Sequence, residues 1–308
     1  MMNTMSDTSE ALAATAHDAF PTPLAGSAPL IDVHAHFHTE RSGRTDWDAY
    51  NVSRLHAGER MGVNAHVASI LGSWGHSSPT YFPSPDDLSF ANAWLREFAR
   101  HDAESLASGG QRVFAYVAVN PNHAAHALQE IRLGIDHGAV GIKLAASRKA
   151  DDALLDDIAS EAARHGIPIL HHVWQDRRRE WPNQDASDGV ELGRLASRHP
   201  STQLLLAHIG GGGDWAHTLH AVRDISNVHV DLSGSGIDRG MMDATIETLG
   251  ASRVLWAADL TLCTGLTKAW ALDTIGLDPE ALADVRWRNG VRLFTRARFT
   301  RQGEALVA

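Results

Sequence analysis

Cysteine is almost missing from this chain: Cys263 is the only one in 308 residues. A single thiol cannot form an internal disulfide, which fits a reducing, cytoplasmic environment. Positive charge is also in short supply. Lys and Arg number 27 against 37 Asp and Glu, a formal net charge of −10. Such a surface is poorly suited to nucleic-acid phosphates or anionic lipid, and it points to a small-molecule partner. No stretch approaches the ~20 apolar residues of a membrane span, and the N-terminus lacks the basic start and apolar run of a targeting segment.

What the chain has is a rhythm. Apolar runs rich in Val, Ile and Leu recur along it, each followed by a segment of helical spacing or a turn-rich loop. Eight of them read as strands: LIDVHAH (30–36), VNAHVASIL (63–71), VFAYVAVN (113–120), AVGIKLA (139–145), IPILHHV (167–173), QLLLAHIG (203–210), NVHVDLSG (227–234) and RVLWAAD (253–259). Helices are clearest at 87–101, 122–137, 151–165, 187–199 and 278–296. In the third of these, Asp151 and Asp152 open the helix and Gly166-Ile167-Pro168 closes it, as acidic starts and Gly or Pro stops should. No Gly-rich dinucleotide fingerprint follows the first strand, so a closed α/β barrel of the (β/α)8 TIM type fits better than an open doubly wound sheet.

Residues 1–27, rich in Ala, Ser, Thr and Asp and without a periodic apolar face, read as a mobile tail. Residues 28–308 read as one barrel domain. The connection 37–60 and the Gly/Ser/Pro-rich 72–86 read as loops that cover the site.

The polar residues that interrupt these strands mostly fall at C-terminal ends, where barrel enzymes place their chemistry. His34 and His36 lie two apart on strand 1, so the pleat sends both imidazoles to one face, where they can share an ion. His208 closes QLLLAH in phase with Leu204 and Leu206, and His172 closes IPILHH in phase with Leu170. Asp259 ends RVLWAAD after a mostly apolar run, where a lone carboxylate would carry a heavy desolvation cost. An isolated His-X-His pair is more often satisfied by ordinary hydrogen bonds. The conjunction of three His-bearing strand ends and one Asp on a single rim is what makes a metal the better reading.

These pieces carry a resemblance. DVHAHF (32–37), GIKL (141–144), HHVW (171–174), LLLAHIGGGG (204–213), VHVDLSGS (228–235), RVLWAAD (253–259) and NGVRLF (289–294) stand in family order. Together they resemble the amidohydrolase superfamily, and within it the amidohydrolase-2 branch that contains aminocarboxymuconate-semialdehyde decarboxylase and related lactonases. The resemblance implies that His34, His36, His172 and Asp259 hold one divalent ion and that His208 handles protons, with Asp259 also taking part in catalysis. The family's strand-8 aspartate is often followed by an aromatic residue and Pro, whereas here it is followed by Leu260 and Thr261. Strand 5 carries adjacent histidines, and a one-residue shift would turn His171 inward in place of His172.

Lys143 alternates with apolar neighbours and should point into the barrel. There it is expected to pair with Asp259 or Asp231, or to anchor a substrate carboxylate; a carboxylated lysine bridging two ions is the less favoured alternative. Gly210–Gly213 lacks the Lys-Ser/Thr of a nucleotide loop and reads as a flexible turn capped by Asp214. Trp74, Trp174 and Trp181 fall in rim loops, and Arg177 follows the strand-5 histidines in a charged run. Trp74, Trp174, Arg177 and Lys143 are the substrate-binding candidates.

The expectation is therefore a hydrolase that uses metal-activated water on an amide, ester or lactone, with Zn2+ favoured over Mn2+ or Fe2+. The alternative is nonoxidative decarboxylation of an unsaturated or aromatic acid at the same site. The apolar C-terminal end leaves room for a homodimer.

Overall fold

In a computed structural model, residues 28–106, 112–174, 183–236 and 238–308 are described. The expected tail 1–27 lies outside them, as does 175–182, which holds Arg177 and Trp181.

All eight expected strands form, and they pair in parallel in chain order. They are β1 (Leu30–His36), β2 (Val63–Ser69), β3 (Val113–Val119), β4 (Gly141–Leu144), β5 (Ile169–His172), β6 (Leu204–Ala207), β7 (Val228–Asp231) and β8 (Val254–Leu255). Helices α1 (Trp47–Arg60), α2 (Pro85–Ser105), α3 (Ala124–Asp136), α4 (Asp156–His165), α5 (Gly189–Arg198), α6 (Trp215–Val222), α7 (Arg239–Leu249) and α8 (Leu262–Leu272) follow the strands in turn. The result is a (β/α)8 barrel.

Seven of the eight strands are shorter than the apolar runs that announced them; β1 matches its run. RVLWAAD gives only two residues to regular pairing, because beyond Leu255 the chain bonds elsewhere: the Trp256 N–H donates to Val285 O, and the Asp259 N–H to His34 O. The barrel therefore closes between β8 and β1 through an isolated bridge, Ala35 to Asp259. The expectation of a loop over 37–60 is corrected, since its second half is α1. That helix packs because Gly58 lets it lie against β2; a Cβ there would sit 2.9 Å from His66 Nε2.

Two apolar layers result. Outward-facing Ile142, Leu144, Ile169, Leu204, Leu206 and Val230 pack on the helices with Leu155, Leu192, Leu195 and Val222. The lumen holds Ile31, Val33, Phe114, Tyr116, Leu170, Leu205 and Leu255, stoppered by Leu293, Phe294 and Phe299 from the C-terminal segment. Among the described residues no helix is long and apolar enough to cross a membrane.

Candidate active site

The pairing of β1 with β2 shifts register between Asp32 and Ala35. Such an irregularity re-aims side chains. Val33 packs in the lumen, and so does the His34 ring beside it, while Ala35 joins the cluster under α1 and His36 returns inward. The two imidazoles meet with Nε2 atoms 3.1 Å apart. Asp259 Oδ1 lies 3.5 Å from His34 Nε2 and 3.3 Å from His36 Nε2, so these three residues form one cluster of potential metal ligands.

The far nitrogens decide what the near ones carry. His34 Nδ1 is 3.0 Å from the Asp231 carboxylate, and His36 Nδ1 is 3.1 Å from the Ser69 carbonyl oxygen. The ionised Asp231 carboxylate and the Ser69 carbonyl only accept, and this assigns the proton to each Nδ1. Burial keeps both rings neutral: His34 lies well below its ordinary pKa through desolvation and then the Lys143 charge, and His36 is lowered chiefly by desolvation. Both Nε2 atoms thus present lone pairs to each other and to a carboxylate. Asp259 stays ionised because the surrounding imidazoles outweigh the burial that would raise it. The Lys143 ammonium reaches one of them, His34 Nε2, at 2.9 Å; His36 Nε2 and the Asp259 carboxylate still converge on the same point, an arrangement that suits a cation. The separations among the three match the ~3.3 Å expected between ligands about 2.05 Å from a tetrahedral ion.

The residues therefore fit a divalent ion, and the sequence agrees over nearly the whole barrel: the family model described as amidohydrolase matches residues 31–296. The chain belongs to the amidohydrolase family. No curated protein matches it in sequence. Among solved structures, 2,6-dihydroxybenzoate decarboxylase from Rhizobium superposes with a TM-score of 0.65 at 15% identity, covering 87% of this chain and 99% of that one. The 5-carboxyvanillate decarboxylase LigW from Sphingomonas paucimobilis gives 0.63 at 16%, covering 89% and 100%. A 5-carboxyvanillate decarboxylase from Novosphingobium aromaticivorans, complexed with manganese, gives 0.64 at 15%, covering 89% and 98%. At such identities the likeness is one of fold.

In this amidohydrolase, His172 faces the lumen and His171 does not. The His171 ring turns back, with Nδ1 2.7 Å from the His172 carbonyl oxygen, and burial pulls it down to about 4. His172 stands outside the three-residue cluster. Its ring packs 5.0 Å from that of His208, and its buried Nε2 has no hydrogen-bond partner among the described residues. His208 reaches the site by a route the alternation argument misread. Leu204 and Leu206 face the helices, whereas the His208 ring stacks 5.9 Å from that of His34, with Nε2 3.5 Å from Asp259 Oδ2. The strand ends at Ala207, and its two-residue period ends with it.

Lys143 enters the lumen as expected but meets a different partner. Its Nζ is 2.9 Å from His34 Nε2, with Asp259 and Asp231 acting by charge rather than contact. Burial brings it down to about 8 and pushes Asp231 up to about 6. Trp74 packs edge-on against the His36 ring at 5.5 Å, and Trp174 packs against His172 and His208 at 6.4 and 5.9 Å.

The Gly210–Gly213 run is not simply a flexible turn. A Cβ on Gly211 would stand 2.0 Å from His208 Nδ1, and one on Gly210 would stand 2.5 Å from Ser233 O. These glycines make room for the histidine and for the β7 loop. Asp214 sits at the α6 N-cap but makes no side-chain capping bond.

Sequence reasoning passed over three further residues. Tyr81 packs 5.1 Å from the His172 ring, with no motif to mark it. Lys268 is fully buried and donates to Gly234 O at 2.6 Å, although on a linear reading it is an ordinary helix lysine. Asp32 stood within the quoted DVHAHF and was given no role, yet it is buried at the seam of the barrel.

Proposed function

We propose that this amidohydrolase is a divalent-metal-dependent enzyme acting on a small carbonyl or carboxyl compound, with His34, His36 and Asp259 as the core of the ligand set. The observation that carries the reading is the convergence of two imidazole Nε2 atoms and a carboxylate, each far nitrogen facing an acceptor. His172, with its orphaned Nε2, is the fourth candidate ligand. A bound ion would supply Lewis acidity toward a substrate oxygen and bring the pKa of its water toward neutrality.

The chain's own groups then divide the remaining work. His208, kept neutral by burial, can accept a proton at Nε2 and return it to a leaving group. Asp259 Oδ2, 3.5 Å away, orients that ring and stabilises its charged form. Trp74, Trp174 and Tyr81 wall the space, exclude water and offer flat surfaces to a planar substrate. Arg177 remains a proposal from the sequence alone.

The leading reaction is hydrolysis of an amide, ester or lactone. The second reading, nonoxidative decarboxylation of an aromatic or unsaturated acid, is favoured by the aromatic walls and by Lys143, a buried cation able to attract a carboxylate. The decarboxylases of similar fold point the same way. Zinc suits imidazole and carboxylate donors; manganese, present in the Novosphingobium decarboxylase, suits them too.

The test measures bound metal in the purified protein and in a His34→Ala/His36→Ala variant, then assays aromatic acids and lactones for CO2 release and ring opening. One equivalent of metal in the wild type and none in the variant is the expected result. Equal, near-zero metal in both would remove the proposal, and the product formed separates the two reactions.

A further inference from the structure

Asp259 is one of three non-glycine residues with positive φ among the described residues, at +59°. A side chain bearing a Cβ rarely adopts that conformation, so the surroundings must hold it there. The sheet does part of this: the Asp259 N–H donates to His34 O and the Val33 N–H to Trp256 O, but β8 itself contributes only two residues to regular pairing.

The peptides on either side of it are held by a buried ion pair on the outer side of the seam. The Ala258 N–H, just before Asp259, donates to Asp32 Oδ1 at 2.9 Å. The Leu260 carbonyl, just after, accepts from Arg54 Nη1 at 2.9 Å and from Tyr50 OH at 2.7 Å. Arg54 Nη2 then returns to Asp32 Oδ2 at 3.0 Å, where His66 Nδ1 also lies 2.9 Å away. Asp32 Oδ1 takes the His34 N–H as well, at 3.2 Å. One carboxylate thus ties the backbone of His34 to the backbone beside Asp259, and Arg54 ties both to α1. Gly265 of α8 presses on the same spot from behind; a Cβ on it would lie 2.6 Å from the Ala258 Cα.

Asp32 and Arg54 are both buried. Burying such a pair is a poor way to stabilise a fold, since desolvation offsets most of the attraction, whereas it is an effective way to fix one geometry. We propose that Arg54 and Asp32 form a positioning clamp that locks Asp259 in its left-handed conformation at a fixed distance from His34 and His36, and so sets the affinity of the site for its ion. The proposal rests on the metal reading above. Neither residue touches the reacting atoms, so both act through the backbone of the ligands. The clamp also explains how the chain manages without the aromatic-Pro sequence that often follows this aspartate in the resembling family: Leu260 is held by α1 instead.

The experiment strips the purified full-length protein of metal and titrates it with Mn2+ and with Zn2+, comparing wild type with Arg54→Met, Arg54→Lys, Tyr50→Phe and Arg112→Met. Arg112 pairs with Asp102, 2.6 Å apart, in a more exposed position away from the ligands. It controls for loss of an ion pair as such. Arg54→Met should weaken binding by about tenfold or more, as loss of a group that orients ligands commonly does, and Arg54→Lys should recover part of that loss. Arg112→Met should bind as wild type even where its melting temperature falls as far. Wild-type affinity in Arg54→Met overturns the clamp. Should Arg54→Met fail to fold, weakened binding in both Arg54→Lys and Tyr50→Phe supports it and wild-type affinity in both overturns it.

If the wild type itself binds no ion, the metal reading falls, and the clamp is decided by crystal structures of metal-free Arg54→Met and Arg54→Lys. Departure of Asp259 from positive φ and from its contact with His36 in either variant supports it. Retention of both features in whichever variants fold overturns it.

Discussion

The two ends of the barrel lumen are filled with opposite materials. At the N-terminal end the rings of Phe114, Tyr116, Phe294 and Phe299 interlock at 4.8–6.3 Å between centroids. At the C-terminal end the same lumen holds His34, His36, His172, His208, Lys143, Asp231 and Asp259. Packing hydrocarbon there would stabilise the fold more than packing ionisable groups, which lose hydration on burial. The shifted pKa values mark that loss: Lys143 is pulled down and Asp231 pushed up, each chiefly by desolvation. The base holds the molecule together so that the rim can be occupied by groups arranged for chemistry.

The comparison can be tested by changing one end and reading the other. The largest effect on stability is expected from Phe294→Ala at the base, which empties a ring-sized volume from the stopper. Truncations of this kind cost about 3–5 kcal/mol. Denaturant unfolding should register it, while the metal affinity of the protein that remains folded stays at the wild-type value. A parallel fall in metal affinity would mean that the two ends are not separable.

Gly211→Ala probes the rim. Its new methyl must displace the His208 ring, because the two would otherwise stand 2.0 Å apart. With His208 in the proposed proton-transfer role, a displacement of that size costs about 100-fold in rate, and the crowding itself about 1–3 kcal/mol of stability. Turnover should therefore fall far more than bound metal. Unchanged turnover would remove His208 from the chemistry.

The smallest effect is a pH dependence at the base. His229 is the second residue of β7, with Nε2 3.0 Å from Gln203 Oε1, and burial lowers it to about 4. An unfolded chain takes up that proton near 6.5 and the folded one only near 4. Between those values the unfolded state binds more protons, so stability falls as the pH drops through this window. The loss reaches about 1 kcal/mol at pH 5.5. His229→Asn should flatten that part of the stability profile against wild type, and an identical slope in both proteins would refute the assignment.

Much of this was legible beforehand because strand and helix periodicities are local. The eight apolar runs formed eight strands in sequence order, and the family pieces placed His34, His36, His172 and Asp259 at their C-terminal ends. Misreadings arose where a local period stops. His208 was assigned the phase of Leu204 and Leu206, yet it follows the last strand residue. The Gly run was given conformational freedom, whereas Gly210 and Gly211 answer to neighbours from the β6 and β7 loops. Helix α1 was missed because its face toward the barrel includes Asn51, Arg54 and Gly58, which carry no apolar stripe.

The amino-acid sequence by itself determined the barrel and the His and Asp residues gathered at its mouth, since alternating apolar patterns and the placing of His and Asp at strand ends are properties of neighbours along the chain. Only the tertiary structure decided which nitrogen of each imidazole faces Asp259, that Lys143 meets His34 rather than a carboxylate, and that Arg54 and Asp32 grip the peptides around Asp259. Those outcomes depend on contacts between residues up to 226 positions apart, and no pattern along a single strand or helix encodes such a distance.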